Sequence, residues 1–295
     1  MMNNQQISVL TAAQRRPLLF RKLKNKVLSV FSLFSVVLAV GGMGWILCTV
    51  LTHGAQSISW EFLTSPSKPY GEPGSGIANA LLGTLMMTGV ATLLSVPPAM
   101  AGGIYLAEFG QGSRLAAVLR FCANVMMGVP SIIVGLFVYV LLVVSTGNFS
   151  GFAGAVALAV IMFPVVMRTT EDMLSMVPVT LRESALALGM SRARATLCIV
   201  ARSARNGLVT GVLLALARVS GETAPLLFTA MFADAWPGGF FSRPTASIPV
   251  LINEYTMNSP FESMHAAGWG AALIICLLIL LINILTRSIF HEKQH

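Results

Sequence analysis

The chain has 295 residues, of which 55% are apolar and only 10% charged, against roughly 25% charged in an ordinary soluble domain. That composition excludes a water-soluble globular fold and points to a protein embedded in a lipid bilayer. The net charge of +8 does not signal nucleic acid binding, because the basic residues track one membrane face and no nucleic-acid motif accompanies them.

Charge-free stretches mark the expected spans, since a bilayer-crossing helix needs about 20 mostly apolar residues. Residues 1–26 form a basic leader carrying Arg15, Arg16, Arg21, Lys22, Lys24 and Lys26, and the first span covers 27–51. Its apolar run is longer than the h-region of a cleaved signal peptide, so it is read as a retained anchor. A second span, 77–106, contains Pro97 and Pro98 with Gly102 and Gly103, a cluster that interrupts a helix and reads either as a hinge or as a static kink. Between Arg120 and Arg168 the uncharged stretch is too long for one helix, and the polar segment Ser145 to Gly151 divides it. A third span at 121–144, interrupted by Gly128 and Pro130, and a fourth at 152–167 result. The fifth is 207–233, the sixth 267–285, and the transmembrane domain as a whole covers 27–289 with a tail at 290–295.

Orientation follows from the nineteen lysines and arginines. Sixteen share one side of the membrane, the other side carries only Lys68 and Arg243, and Arg218 lies within a span. The positive-inside rule then makes both termini cytoplasmic, as an even number of spans requires. Cysteines and histidines suggest neither disulfides nor a metal site. Cys48, Cys122 and Cys276 fall in apolar spans, Cys198 in the cytoplasmic connection, and His53, His265, His291 and His295 lack ligand spacing.

The cytoplasmic connection, 171–205, has helix signals of its own. Thr180 and Glu183 have capping-box spacing behind Pro178, and Gly189 is placed as a stop, which predicts a short helix over Leu181 to Leu188. Ser191 is positioned to cap a second helix bearing Arg192, Arg194, Arg202 and Arg205. Two turns of helix are unstable alone, so this hairpin is expected to dock into something.

Within the fifth span, Arg218 and Glu222 stand one helical turn apart in an otherwise apolar run. An arginine near the bilayer centre costs about 2.5 to 3.5 kcal/mol, so it is retained mainly where it faces a bundle interior or solute pathway. Gly207, Gly211, Ala215, Arg218, Glu222 and Pro225 share one side, which should face the bundle. Ser220 falls on the opposite, apolar side and does not fit this scheme. The guanidinium fork of Arg218 suits an oxyanion, and Glu222 at i+4 is expected to pair with it when no substrate is present. The alternative is mutual neutralisation that only stabilises the bundle. Pro225 frees the carbonyl of Gly221 and should bend the helix. Arg168 and Glu171 form a second candidate pair, either for transport or as an interfacial anchor.

The string RESALALG, with Glu183, Ala185 and Gly189 in register, resembles the EAA loop of bacterial ABC importer permeases, the hairpin that plugs into the ATPase subunit. Ser184 stands where that motif has its first alanine, and the downstream proline of the wider consensus is absent, with Arg202 near its place. MAGGIYLAEFG (100–110), SIIVGLFVY (131–139), MRTTEDML (167–174) and ARVSGETAPLLFTA (217–230) are together similar to the PstA-type permease family of high-affinity phosphate importers. The resemblance runs from about Val27 to Phe290 and weakens in the outward segments 60–76 and 234–265.

It implies an all-α membrane protein with six transmembrane helices and the type I importer fold, in the bacterial inner membrane. It implies inorganic phosphate as substrate, with Arg218, Glu222, Thr223, Arg168 and Glu171 along the pathway. Glu183, Ser184, Ala185 and Gly189 would couple to the ATPase, and Pro97, Pro98, Pro130 and Pro225 would act as hinges. The implied partners are a second, PstC-type permease, a PstB-type ATPase dimer that binds ATP and Mg, and a periplasmic PstS-type phosphate-binding protein. The residues themselves agree that this chain is not an ATPase, because none of its five lysines follows a glycine and no Walker A motif exists. Alternatives are a permease for sulfate or molybdate, which the residues do not separate from phosphate, and an ATP-independent carrier, for which no inverted repeat is detected.

Overall fold

The computed structural model describes residues 12–69, 72 and 74–290, with side chains omitted for 12–19 and 285–290. The leader residues 1–11, the side chains of Arg15, Arg16 and Arg287, and Lys293, His291 and His295 therefore lie outside the described residues. The chain divides into two units, one ending at Thr52 and one beginning at His53.

All regular structure among the described residues is helical. Helix α1 spans Ala12–Ser57, and from Phe20 to Leu47 its large apolar side chains are exposed. Such all-round apolar exposure suits a helix solvated by lipid. In the second unit, α2 (Trp60–Thr64) precedes α3 (Ala78–Phe109), whose last five residues form a π-helical turn. The helix runs unbroken through Pro97 and Pro98.

The expected third span is two helices, not one. α4 (Arg114–Gly128) and α5 (Ser131–Thr146) are bent by 102° where Val129 and Pro130 take extended conformations. The cause is local, since proline both lacks an amide donor and pushes the residue before it out of the helical region. Next comes α6 (Gly151–Ser175), which Ser150 caps by accepting a hydrogen bond from the Ala153 amide. α7 (Val179–Ala187) and α8 (Arg192–Val219) make the hairpin expected between the fourth and fifth spans and most of the expected fifth span.

That fifth span is also broken. α8 ends at Val219, and after Ser220 to Thr223 a short helix, α9 (Ala224–Thr229), begins. Pro225 sits in the first turn of α9, where a missing amide costs nothing, so it starts a new helix instead of bending a continuous one. Ser220 is thereby explained: it is the C-terminal cap of α8, with its buried hydroxyl donating to the Ala217 carbonyl at 2.8 Å. The chain closes with α10 (Ile248–Asn253, continued by a π turn to Asn258) and α11 (Glu262–Phe290).

Helices α3, α6 and α8 form the centre of the bundle around Met87, Leu106, Leu158, Met162 and Val219. Small residues permit the close approach that drives packing where lipid already solvates apolar groups. A Cβ on Gly211 of α8 would lie 2.3 Å from Thr169 of α6, so only glycine allows this crossing. The segment after Ala230 is not a plain loop. Ile248, Leu251 and Tyr255 are completely buried against Phe62, Ile77 and Met264. Asn79 binds both the Ser67 hydroxyl (2.7 Å) and the Ala233 carbonyl (3.1 Å), and Tyr255 shares a 2.6 Å hydrogen bond with Ser75. These bonds tie the segments before α3 and after α9 together.

Candidate functional site: an anion cavity between two broken helices

The two helix breaks face one cavity of about 490 Å³. The α4–α5 break supplies Met127, Pro130 and Ser131, α6 supplies Ile161 and Val165, and the α8–α9 break supplies Arg218 and Glu222. The breaks are held together where α5 meets α9, because a Cβ on Gly135 would come within 2.6 Å of Pro225. Against a share of about 30 Å³ per liquid water, the volume admits a hydrated tetrahedral anion.

Arg218 and Glu222 are its only ionisable lining groups, and they do not pair. Three ion pairs occur among the described residues, and none includes either side chain. The expected i,i+4 contact required a continuous helix, and the turn at Ser220 to Thr223 removes that register. Arg218 is exposed into the cavity and Glu222 is half-buried. An unpaired guanidinium in a chamber lined mostly by apolar side chains offers charge-assisted donors to an entering anion. Thr223 stands at the start of α9 and is not part of the lining.

Arg168 and Glu171 belong elsewhere. Glu171, 7% exposed, accepts from Arg168 Nη1 at 2.5 Å and from Arg120 Nε at 2.6 Å, while Arg120 also donates to the Leu106 carbonyl. Arg120 comes from α4, and nothing in the spacing signalled its partner 51 residues away. The cluster joins α3, α4 and α6.

A second buried carboxylate holds the α7–α8 hairpin. Glu108, 5% exposed at the end of α3, accepts from Arg182 Nη2 at 2.7 Å, and Arg182 also donates to the Leu174 carbonyl. Arg192 donates to the Glu108 carbonyl at 2.6 Å and stacks over Phe109. Sequence reasoning missed Glu108, although a lone acid in an apolar stretch signals a buried partner.

Within α7, Ala185 is buried while Glu183 and Ser184 face outward, and Leu188 is 84% exposed. The capping box is absent: the helix starts two residues earlier, behind Pro178, and no side chain caps it, which leaves Thr180 inside the first turn. Proline before the first turn sets the extended entry by itself. The stop is as expected. Gly189 has φ +81°, with Met190 N–H bonded to the Ala185 carbonyl and Gly189 N–H to that of Leu186, a Schellman closure. Ser191 occupies the N-cap position of α8 without a side-chain hydrogen bond.

A family model described as the binding-protein-dependent transport system inner membrane component matches residues 99–291. The chain belongs to this family. It is 40% identical over 288 residues to the phosphate transport system permease protein PstA of Yersinia pestis, covering 98% of this chain and 97% of that one. The protein of the same name in Pasteurella multocida is 43% identical over 274 residues, covering 93% and 97%. Among solved structures, a chain of the MetNI methionine ABC transporter in an inward-facing form superposes with a TM-score of 0.61 at 18% identity, covering 73% of this chain and 94% of that one. That likeness supports the fold. The chain is thus a multi-pass membrane component of a transporter with the type I importer architecture.

Proposed function

We propose that this chain is the permease subunit of an ATP-driven importer of inorganic phosphate in the bacterial inner membrane, with both termini cytoplasmic. The observation that carries the reading is the unpaired Arg218 guanidinium lining a cavity between two broken helices, in a chain whose relatives are phosphate permeases. Phosphate enters as an anion, and Arg218 supplies its fixed fork of donors where most of the lining is apolar. The exposed face of α7, with Glu183, Ser184 and Leu188, is what an ATPase dimer would engage, and that partner would bind ATP and Mg. A second homologous permease would complete the pathway, and a periplasmic phosphate-binding protein would deliver the substrate. Glu108, Arg182 and Arg192 tie the α7–α8 hairpin to α3, so motion at the ATPase would be passed to the bundle through these contacts.

The test is radiolabelled phosphate uptake by the reconstituted complex, with sulfate and molybdate as competitors. Arg218→Gln should lower uptake about 100-fold, the size expected when a donor to a developing or bound oxyanion is removed from a preorganised site. Complex assembly should be unchanged. Uptake near the wild-type rate in this variant would end the assignment of Arg218, and strong competition by sulfate would reassign the substrate.

A further inference from the structure

Glu222 lines the same cavity as Arg218, yet no guanidinium nitrogen lies within 4.0 Å of its carboxylate. Freed from Arg218, it acts on whatever Arg218 holds. An ionised carboxylate only accepts hydrogen bonds, so an anion beside it suffers repulsion unless that anion brings a hydroxyl proton. Phosphate at neutral pH keeps P–OH groups. Sulfate and molybdate, fully ionised, do not. The other polar lining residue, Ser131, both donates and accepts and so does not discriminate between them.

We infer that Glu222 is a specificity-determining residue, accepting a hydrogen bond from a P–OH group of phosphate held on Arg218 and turning away oxyanions that carry no proton. This rests on the reading of Arg218 as the anion ligand. Enclosed sites built around a substrate hydroxyl reject analogues lacking it by about 10⁴, and the half-buried setting of Glu222 makes a preference of about 100-fold the expected value.

The experiment reads protection of Arg218 from phenylglyoxal in the assembled complex without its binding protein, by peptide mass spectrometry, with exposed Arg202 as internal control. In the wild type, sulfate should need about 100-fold more than phosphate for equal protection. Glu222→Gln, whose amide can donate, should bring the two anions within about threefold, and Glu222→Asp should retain the preference. Equal protection by sulfate and phosphate in the wild type overturns the inference without any variant having to fold. An unchanged ratio in Glu222→Gln also overturns it. If neither anion protects Arg218 in the wild type, the anion-ligand reading itself fails, a result distinct from lost selectivity.

Discussion

Charged residues occupy two regions of this bundle under opposite rules. At the hairpin end, Glu108 and Glu171 are almost completely buried, and an arginine from a distant segment reaches each of them. In the cavity between the broken helices, Arg218 and Glu222 stand near one another and remain unpaired. Burial accounts for the difference. A carboxylate withdrawn from water must be matched or neutralised, whereas groups around an open chamber keep their hydration and stay available to a ligand. The first kind of charge joins helices; the second kind meets a solute.

Removing a partner should separate the two kinds most strongly at Glu108. Glu108→Gln leaves the Arg182 guanidinium uncompensated in a mostly buried setting and should cost about 3 kcal/mol in the denaturation of the purified protein. The effect of Glu171→Gln should be smaller, about 1 kcal/mol, because Arg120 and Arg168 are 34% and 28% exposed and solvent screens what remains. Arg218→Gln should change stability by less than about 0.5 kcal/mol while removing transport. Equal destabilisation by the Glu108 and Arg218 substitutions would break the comparison.

A backbone position at the same hairpin end sharpens it. Gly189→Val forces a β-branched residue to φ +81° at a strain of about 1 to 2 kcal/mol. The closure of α7 should loosen, so ATP hydrolysis should continue while phosphate uptake falls. Tight coupling in that variant would show that the Schellman turn is dispensable.

The smallest effect belongs to the opposite end of the bundle, at Asp234. Burial pushes its carboxyl pKa above the ordinary value, with Glu254 and Glu72 acting in the same direction and a Ser67 hydrogen bond opposing them. Its Oδ1 is buried without a hydrogen-bond partner. The folded chain therefore binds this proton more tightly than the unfolded chain. Stability gained from it is complete below the unfolded carboxylate's pKa and is lost as pH rises through the folded value. Asp234→Asn should raise thermal stability slightly at neutral pH and flatten that dependence. An unchanged pH profile in the variant would exclude Asp234 as its source.

Much of the helical layout was legible because its causes are local. Gaps in charge located apolar helices, and Gly189 marked a stop because a positive φ is a property of one residue. Pro130 announced trouble in the third span, but the 102° bend needed the packing of α5 on α9 to hold it. The expected capping box failed because Pro178 already sets the entry into α7. At Arg218 and Glu222 the spacing was read through a continuous helix, and Pro225 could equally kink a helix or begin one.

Composition and charge placement by themselves determined that this is a multi-span membrane protein, because bilayer thickness and transfer cost act on short stretches of chain. Only the tertiary structure decided which carboxylate meets which arginine. Arg120 reaches Glu171 across 51 residues and Arg182 reaches Glu108 across 74, distances over which no local preference operates. The same holds for the cavity: two breaks far apart in sequence became one site because small residues let their helices approach closely enough to face each other.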